Sequence, residues 1–465
     1  MHLLQFPHAP PARAATVATA LPASPLTVED TGLSVPFLAD LVAKTLLQGP
    51  SGRLVDLGAR LCLGGAIVDA LCQAMRRDGL VEVSRRGQNE SDVEFELTLA
   101  GRARALDAFS RSAYIGPAPV PAEHYAERVR AQAADLHPVT LRGAREAFAG
   151  IVLEDALVDR LGTAMNAARP MLLHGPAGSG KTYIARSLAR LLPGPVAIPH
   201  AICVQDEVIR VFDPLCHRPI EPAPAPAAPR GQLDSRHRAD ARWMLCERPV
   251  VACGGELTLE MLDLGFDPRA GYYEAPPHLK ANNGLFIVDD LGRQRVTPRE
   301  LMNRWIVPME RRHDHLTLRQ GARFTVPFEM MLVFSSNLSP RDLDEAFLRR
   351  IGHKIEIGPV RAEAYARIFE RACTEEGVPF DAEGLTHLLD RLHVAHGRAL
   401  LACHPRDLLR LVTSRARYLE TAPVLDAELL DWAWSTHFGD ALLPAAASVP
   451  TPAPTTDPDP SRRPS

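Results

Sequence analysis

The chain has 465 residues, too long for one ordinary hydrophobic core and long enough for two or three domains. Its 52 basic and 56 acidic residues leave a net charge of −4, which excludes a global polycation for holding nucleic acid and an acidic solvating chain. Eight cysteines without a C-x-x-C pair argue for reduced thiols over zinc or disulfides, and no run reaches the ~18 to 20 apolar residues of a membrane span. The N-terminus lacks the charged-then-apolar layout of a signal segment, so a soluble, cytoplasmic protein is expected.

In chain order, residues 1–30 are rich in Ala and Pro and are expected to be disordered, as is the Pro-rich tail 441–465. Residues 31–112 form the first domain. DLGARLC (Asp56–Cys62) reads as a short helix, LGG as a turn, and Ala66–Gly79 as a longer helix with Ile67, Leu71, Ala74 and Met75 on one face. LVEV and FELTL then alternate as strands around a polar loop. Helix, turn, helix and a two-stranded wing resemble a winged-helix domain. Ten Lys/Arg against ten Asp/Glu between Leu33 and Arg111 give no clear basic face for phosphates. Protein docking is therefore preferred to DNA reading for this domain.

Residues 113–139, broken by GPAPVPAE, are expected to be a linker with a polar helix. The stretch MLLHGPAGSGKTYIARSLARLL then gives an apolar strand, a Gly-rich turn and an amphipathic helix in immediate succession. Its core, Gly175, Pro176, Ala177, Gly178, Ser179, Gly180, Lys181 and Thr182, fits G-x-x-x-x-G-K-[ST] in full, with Tyr183 following. Glycines let the backbone curl with its N–H groups around phosphate at the positive end of a helix. Lys181 suits the β and γ phosphates, and Thr182 suits Mg²⁺. Further on, GLFIVDDLG reads as a buried parallel strand delivering Asp289 to the metal side, with Asp290 placed to orient or deprotonate the attacking water.

MMLVFSSN places Asn337 at the end of another apolar strand, DEAFLRRI closes a short helix with Arg349 and Arg350, and CHPRDLLRLV puts Arg406 at a helix start. In this order the motifs resemble the Walker A, Walker B, sensor 1, arginine finger and sensor 2 of the AAA+ ATPases. The resemblance implies an α/β fold: a P-loop αβα sandwich over 140–358 and a C-terminal helical lid over 359–440, with the winged-helix-like domain in front. It implies Mg-ATP hydrolysis in a homo-oligomeric ring, usually of six subunits, that remodels a protein or nucleoprotein client. Arg350, with Arg349 as the alternative, would reach the neighbouring site, and Arg406 would couple the lid to nucleotide state. Ile151 and Val152 match the place where the family packs adenine.

The sequence departs from the family in two places. Thr182 and Asp289 lie 107 positions apart, an interval holding a Pro-rich run near 219–232 and the Tyr272–Tyr273 pair, which reads either as a contact surface or as a loop prop. Asp290 stands where Glu is commoner, although a DDLG run resembles helicase-loader and transposase-helper ATPases of the superfamily. Resemblance to MoxR-type ATPases is also partial. Arg293, Arg295, Arg304, Arg311 and Arg312 mark either a subunit boundary or a solvated face. Two other readings stay open: a DNA-binding regulator with a nucleotide switch, and an ATP-gated scaffold with little turnover.

Overall fold

A computed structural model of the chain describes residues 21–86, 93–167, 169–220 and 239–439. The Ala/Pro-rich start up to residue 20, the polar loop 87–92, most of the Pro-rich run and the tail lie outside the described residues. Two compact units divide the chain, Met1–Gly358 and Pro359–Ser465. Among the described residues no helix is long and apolar enough to cross a membrane.

The first unit opens with α1 (Val35–Gln48), α2 (Leu54–Leu61) and α3 (Gly65–Arg77). An antiparallel ribbon of β1 (Val81–Arg86) and β2 (Val93–Leu97) follows, then α4 (Leu99–Arg111). Ser34 and Thr98 start α1 and α4 by accepting from the N–H groups of Phe37 and Gly101. The apolar faces of these elements close a core of Leu38, Leu41, Leu57, Leu61, Val68, Leu71 and Phe95. Residues 21–30, expected to be disordered, are held in place. Asp30 accepts from the N–H groups of Leu26 and Thr27, and Asp240 N–H donates to Pro22 O at 2.9 Å.

The stretch expected to be a linker is also structured. It contains β3 (Val120–Pro121) and α5 (Ala122–Ala134), whose Val120, Tyr125 and Val129 are buried. The helix is the one expected after the Pro-rich break, whereas its buried apolar face and the two-residue strand do not stand out in the sequence. After it come α6 (Leu141–Phe148), α7 (Asp155–Asn166), β4 (Met171–His174), α8 (Lys181–Ser187) and β5 (Val196–Pro199). Next are β6 (Ala201–Val204), β7 (Glu207–Arg210), β8 (Trp243–Cys246), β9 (Val250–Cys253), β10 (Gly265–Asp267), β11 (Tyr272–Glu274) and α9 (Pro277–Lys280). The unit ends with β12 (Leu285–Val288), α10 (Pro298–Arg311), β13 (His313–Thr317), β14 (Arg323–Pro327), β15 (Met331–Ser336), α11 (Glu345–Arg350) and β16 (His353–Glu356).

Five of these strands form an all-parallel sheet in the order β16-β4-β15-β12-β9. Alternation along β12 serves both faces. Phe286 and Val288 join Trp305 of α10 and Phe347 of α11, whereas Leu285 and Ile287 join Phe148, Leu161 and Ile184 from α6, α7 and α8. The result is the expected P-loop αβα sandwich.

Much of the described chain between Thr182 and Asp289 builds a second β layer, which also takes in β3 from before that interval and β13 and β14 from after it. Strands β10-β11-β7-β6-β3 form a mixed sheet, β5 pairs with β8, and β13 pairs with β14. Val129, Ile198, Ile209, Trp243, Tyr273, Leu316 and Val326 share its core. Tyr273 is buried and its hydroxyl accepts from Arg319 N–H, while Tyr272 meets the ring of Tyr114 edge to face at 5.7 Å. The pair is thus a strand prop.

A buried polar seam ties this layer to β12. Asn283, at φ 61°, accepts from Gln132 Nε2 at 2.9 Å and donates to Val129 O at 2.9 Å. Neighbouring Asn282 donates to the Tyr125 hydroxyl and to Pro327 O. Replacing Asn283 by Ala leaves buried groups unpaired at a left-handed position, so Asn283→Ala is expected to cost about 2 to 4 kcal/mol, read by denaturant unfolding.

In the second unit, α12 (Ala362–Glu376), α13 (Ala382–Thr386), a π-helical stretch His387–His393, α14 (His404–Tyr418) and α15 (Ala427–Phe438) enclose Tyr365, Phe369, Leu408 and Trp434. His393 and His404 stack at 5.4 Å in this core. Burial first, then His393, His437 and Arg398, push the His404 imidazole down to about 4. Its folded value lies below the ordinary one, so the unfolded chain binds the proton first, and stability is lost as pH falls from about 6.5 toward that value. Hydrogen exchange of α14, corrected for intrinsic rate, should accelerate between about pH 7 and about pH 5, and His404→Phe should remove most of the change.

Candidate functional site

The site assembles at the C-terminal edge of the parallel sheet, where β4, β12 and β15 stand side by side. Between β4 and α8 the chain makes its glycine turn, with Gly175 at φ 147°, Gly178 at 83° and Gly180 at 94°. These values belong to glycine, since a Cβ there meets the backbone. At Gly175 the close approach is with β16's exit: an added Cβ would lie 2.2 Å from Ile357 O. Lys181 opens α8 and is buried, its ammonium donating to Gly175 O at 3.0 Å, Pro176 O at 2.8 Å and Asn337 Oδ1 at 2.8 Å. Burial pulls its pKa down, against the carboxylates of Asp290 and Asp289, which pull it up. Ser179 is 3% exposed and its hydroxyl has no hydrogen-bond partner among the described residues.

Thr182, the next residue, donates its hydroxyl to both carboxylate oxygens of Asp289, each at 2.9 Å. A hydroxyl beside a carboxylate is a hard oxygen set suited to Mg²⁺. The buried strand β12 fixes Asp289, whose N–H donates to Cys253 O of β9 at 2.8 Å. The chain then turns sharply. Asp290 has φ 51°, a left-handed conformation that Asp and Asn tolerate better than longer side chains. Its carboxylate Oδ1 accepts from Asn337 Nδ2 at 3.0 Å. Asn337 thus bridges Lys181 and Asp290, with one end of its amide on each.

The structure therefore brings together Gly175 to Thr182, Asp289, Asp290 and Asn337. Tyr183 is half-buried and packs against the α6–α7–α8 side of the sheet, as does buried Ile151, whose neighbour Val152 is half-buried. Arg349 and Arg350 close α11 and behave differently. Arg350 is committed to its own chain, donating Nε to Glu310 at 3.1 Å and Nη1 to Ala346 O at 2.8 Å. The exposed Arg349 guanidinium has no ion-pair partner among the described residues. Arg406 belongs to the second unit, on α14, where it pairs with Glu375.

Of the five arginines after Asp290, Arg304 pairs with buried Asp314 at 2.7 Å and Arg312 with Glu329 at 3.5 Å, whereas Arg293, Arg295 and Arg311 are exposed. Sequence reasoning missed Gln294. Its side-chain amide donates to Asp289 O at 2.6 Å and Asp290 O at 3.2 Å, and its oxygen accepts from Gly292 N–H at 2.9 Å. The only signal in the sequence is a polar residue just after D-D-L-G.

A family model described as a domain of unknown function, DUF8689, matches residues 361–436, within the helical second unit. No curated protein sequence matches the chain. Among solved structures, the RuvB Holliday junction branch migration motor of Thermotoga maritima aligns at 13% identity over 61% of this chain and 69% of that one, with a TM-score of 0.35. NtrX of Brucella abortus aligns at 11% identity over 78% of this chain and 62% of that one, with a TM-score of 0.37. At this distance the fold is carried by the chain's own sheet and glycine turn.

Gly175→Ala forces a side chain onto Ile357 O, so the loop must shift. This variant is expected to weaken binding of a fluorescent ATP analogue by about 10-fold or more, with a stability loss of about 1 to 3 kcal/mol. Equilibrium titration and thermal melting check the two effects separately.

Proposed function

We propose that this chain is an ATP hydrolase of the AAA+ type, and the observation that carries the proposal is one constellation. Lys181 and Thr182 at the start of α8, Asp289 and Asp290 just after β12, and Asn337 just after β15 meet within hydrogen-bond distance at one edge of three adjacent strands. The residues fit ATP and Mg²⁺. The glycine turn is shaped where a Cβ would collide, a buried hydroxyl in it lacks a partner among the described residues, and Thr182 and Asp289 form an oxygen pair. Lys181 and the turn would hold the phosphates, and Thr182 and Asp289 the metal. When bound, Mg²⁺ neutralises charge on the phosphate oxygens.

The chain's own part is positioning and proton handling. Asp290 directs the attacking water and takes its proton, and Asn337 holds the Asp290 carboxylate while it does so. Water adds to the γ phosphorus, the bond to the β-phosphate oxygen breaks, and ADP and phosphate leave. Arg349, exposed and without an ion-pair partner among the described residues, is the better candidate than Arg350 for the arginine that completes a neighbour's site in a homo-oligomeric ring, usually a hexamer. Arg406 is the candidate for sensing nucleotide from the helical lid.

The N-terminal helices and ribbon support a winged-helix-like docking domain that selects a protein client. Arg104 and Arg111 both pair with Asp40, which removes two of its cations from any phosphate-binding face.

Steady-state phosphate release tests the proposal. Asp290→Asn should lower turnover by about 10²-fold or more, and Arg349→Ala by about 10³-fold or more, with Arg350→Ala milder. Equal rates in wild type and all three variants would overturn it.

A further inference from the structure

The residue that matters most for Asp290 is one the nucleotide motifs do not contain. Asp290 leaves β12 in a left-handed conformation, φ 51°, and a non-glycine residue persists there only when its surroundings over-determine it. Three contacts come from the neighbouring strand end: Leu291 N–H donates to Ser335 O at 2.7 Å, the Ser336 hydroxyl donates to Leu291 O at 3.0 Å, and Asn337 reaches the Asp290 carboxylate. Within the turn, Arg293 N–H donates to Asp290 O at 2.9 Å and Asp290 N–H to Asp289 Oδ1 at 3.2 Å, and Gln294 adds the side-chain contacts. Its amide nitrogen donates to the carbonyls of Asp289 and Asp290, and its amide oxygen accepts from Gly292 N–H. One half-buried side chain thus uses both ends of its amide to close the turn Asp289–Gly292 on itself.

We infer that Gln294 is a positioning residue for hydrolysis, acting through Asp290: it holds the turn from which the shorter carboxylate reaches its working place. This rests on the ATP hydrolase reading above. An Asp is one methylene shorter than a Glu, so its carboxylate has less freedom to compensate for a backbone shift. Displacement of a reacting group by roughly 1 Å can cost on the order of 10²-fold in rate. Gln294 makes no hydrogen bond to Lys181, Thr182 or Asn337 among the described residues, and its bond to Asp289 is to the main-chain carbonyl, while the carboxylate that faces Thr182 is bonded elsewhere.

The test is a double-mutant cycle on the full chain with Gln294→Ala and Asp290→Asn, with three readouts. Turnover in Gln294→Ala should fall by about 10- to 100-fold while affinity for a fluorescent ATP analogue stays within about 2-fold. In the Asp290→Asn background the same change should cost nothing further, because the residue through which Gln294 acts is already disabled. Hydrogen exchange should show Gly292 and Arg293 losing protection in Gln294→Ala without a matching change in β12.

Equal losses in both backgrounds would overturn the inference, as would a parallel loss of ATP affinity or unchanged protection at Gly292. A wild type that turns over ATP as fast as Gln294→Ala overturns this inference alone. A wild type that binds ATP and never hydrolyses it overturns the hydrolase reading as well.

Discussion

Everything at this site depends on how the chain leaves strand β12. That strand is buried on both faces, and its register between β9 and β15 is fixed by parallel pairing along its full length. A strand so held cannot slide, so Asp289 arrives opposite Thr182 with both carboxylate oxygens at 2.9 Å. The next residue must then turn away, and it does so through a left-handed backbone. That turn accounts for the aspartate at position 290. Asp and Asn are the side-chain-bearing residues that accept this conformation at least cost, and a glutamate there would add strain to a site already tightly fixed.

Much of the candidate site was legible because its signals are local. The glycine turn, Lys181 and Thr182 share one short run, and Asp289 and Asn337 each end an apolar strand. Their meeting follows from adjacent strands in one parallel sheet. The conformation of Asp290 was not legible, since no residue pattern announces a positive φ at a non-glycine. Nor was the choice between Arg349 and Arg350, which turns on Glu310, forty positions upstream.

The second β layer shows the other limit. Its strands are two to five residues long, and some pair across great sequence distances, as when Tyr273 faces Ile209 and Val120 faces Ile202. Such short strands carry too few residues for alternation to show. What anchors the layer to the parallel sheet is polar: the Asn282 and Asn283 amides reach α5 and the end of β14 just before β12 begins. The segment expected to be a linker is thereby fastened to the strand that carries Asp289.

On the hydrolase reading, the paired aspartates form a working site in their own geometry and are not a weakened version of an Asp-Glu pair. Phosphate release by Asp290→Glu tests it most directly. Because glutamate fits the left-handed turn less well, turnover should fall by about 3- to 10-fold for a strain of roughly 1 kcal/mol. A glutamate variant hydrolysing ATP about 10-fold faster than the wild type would contradict it.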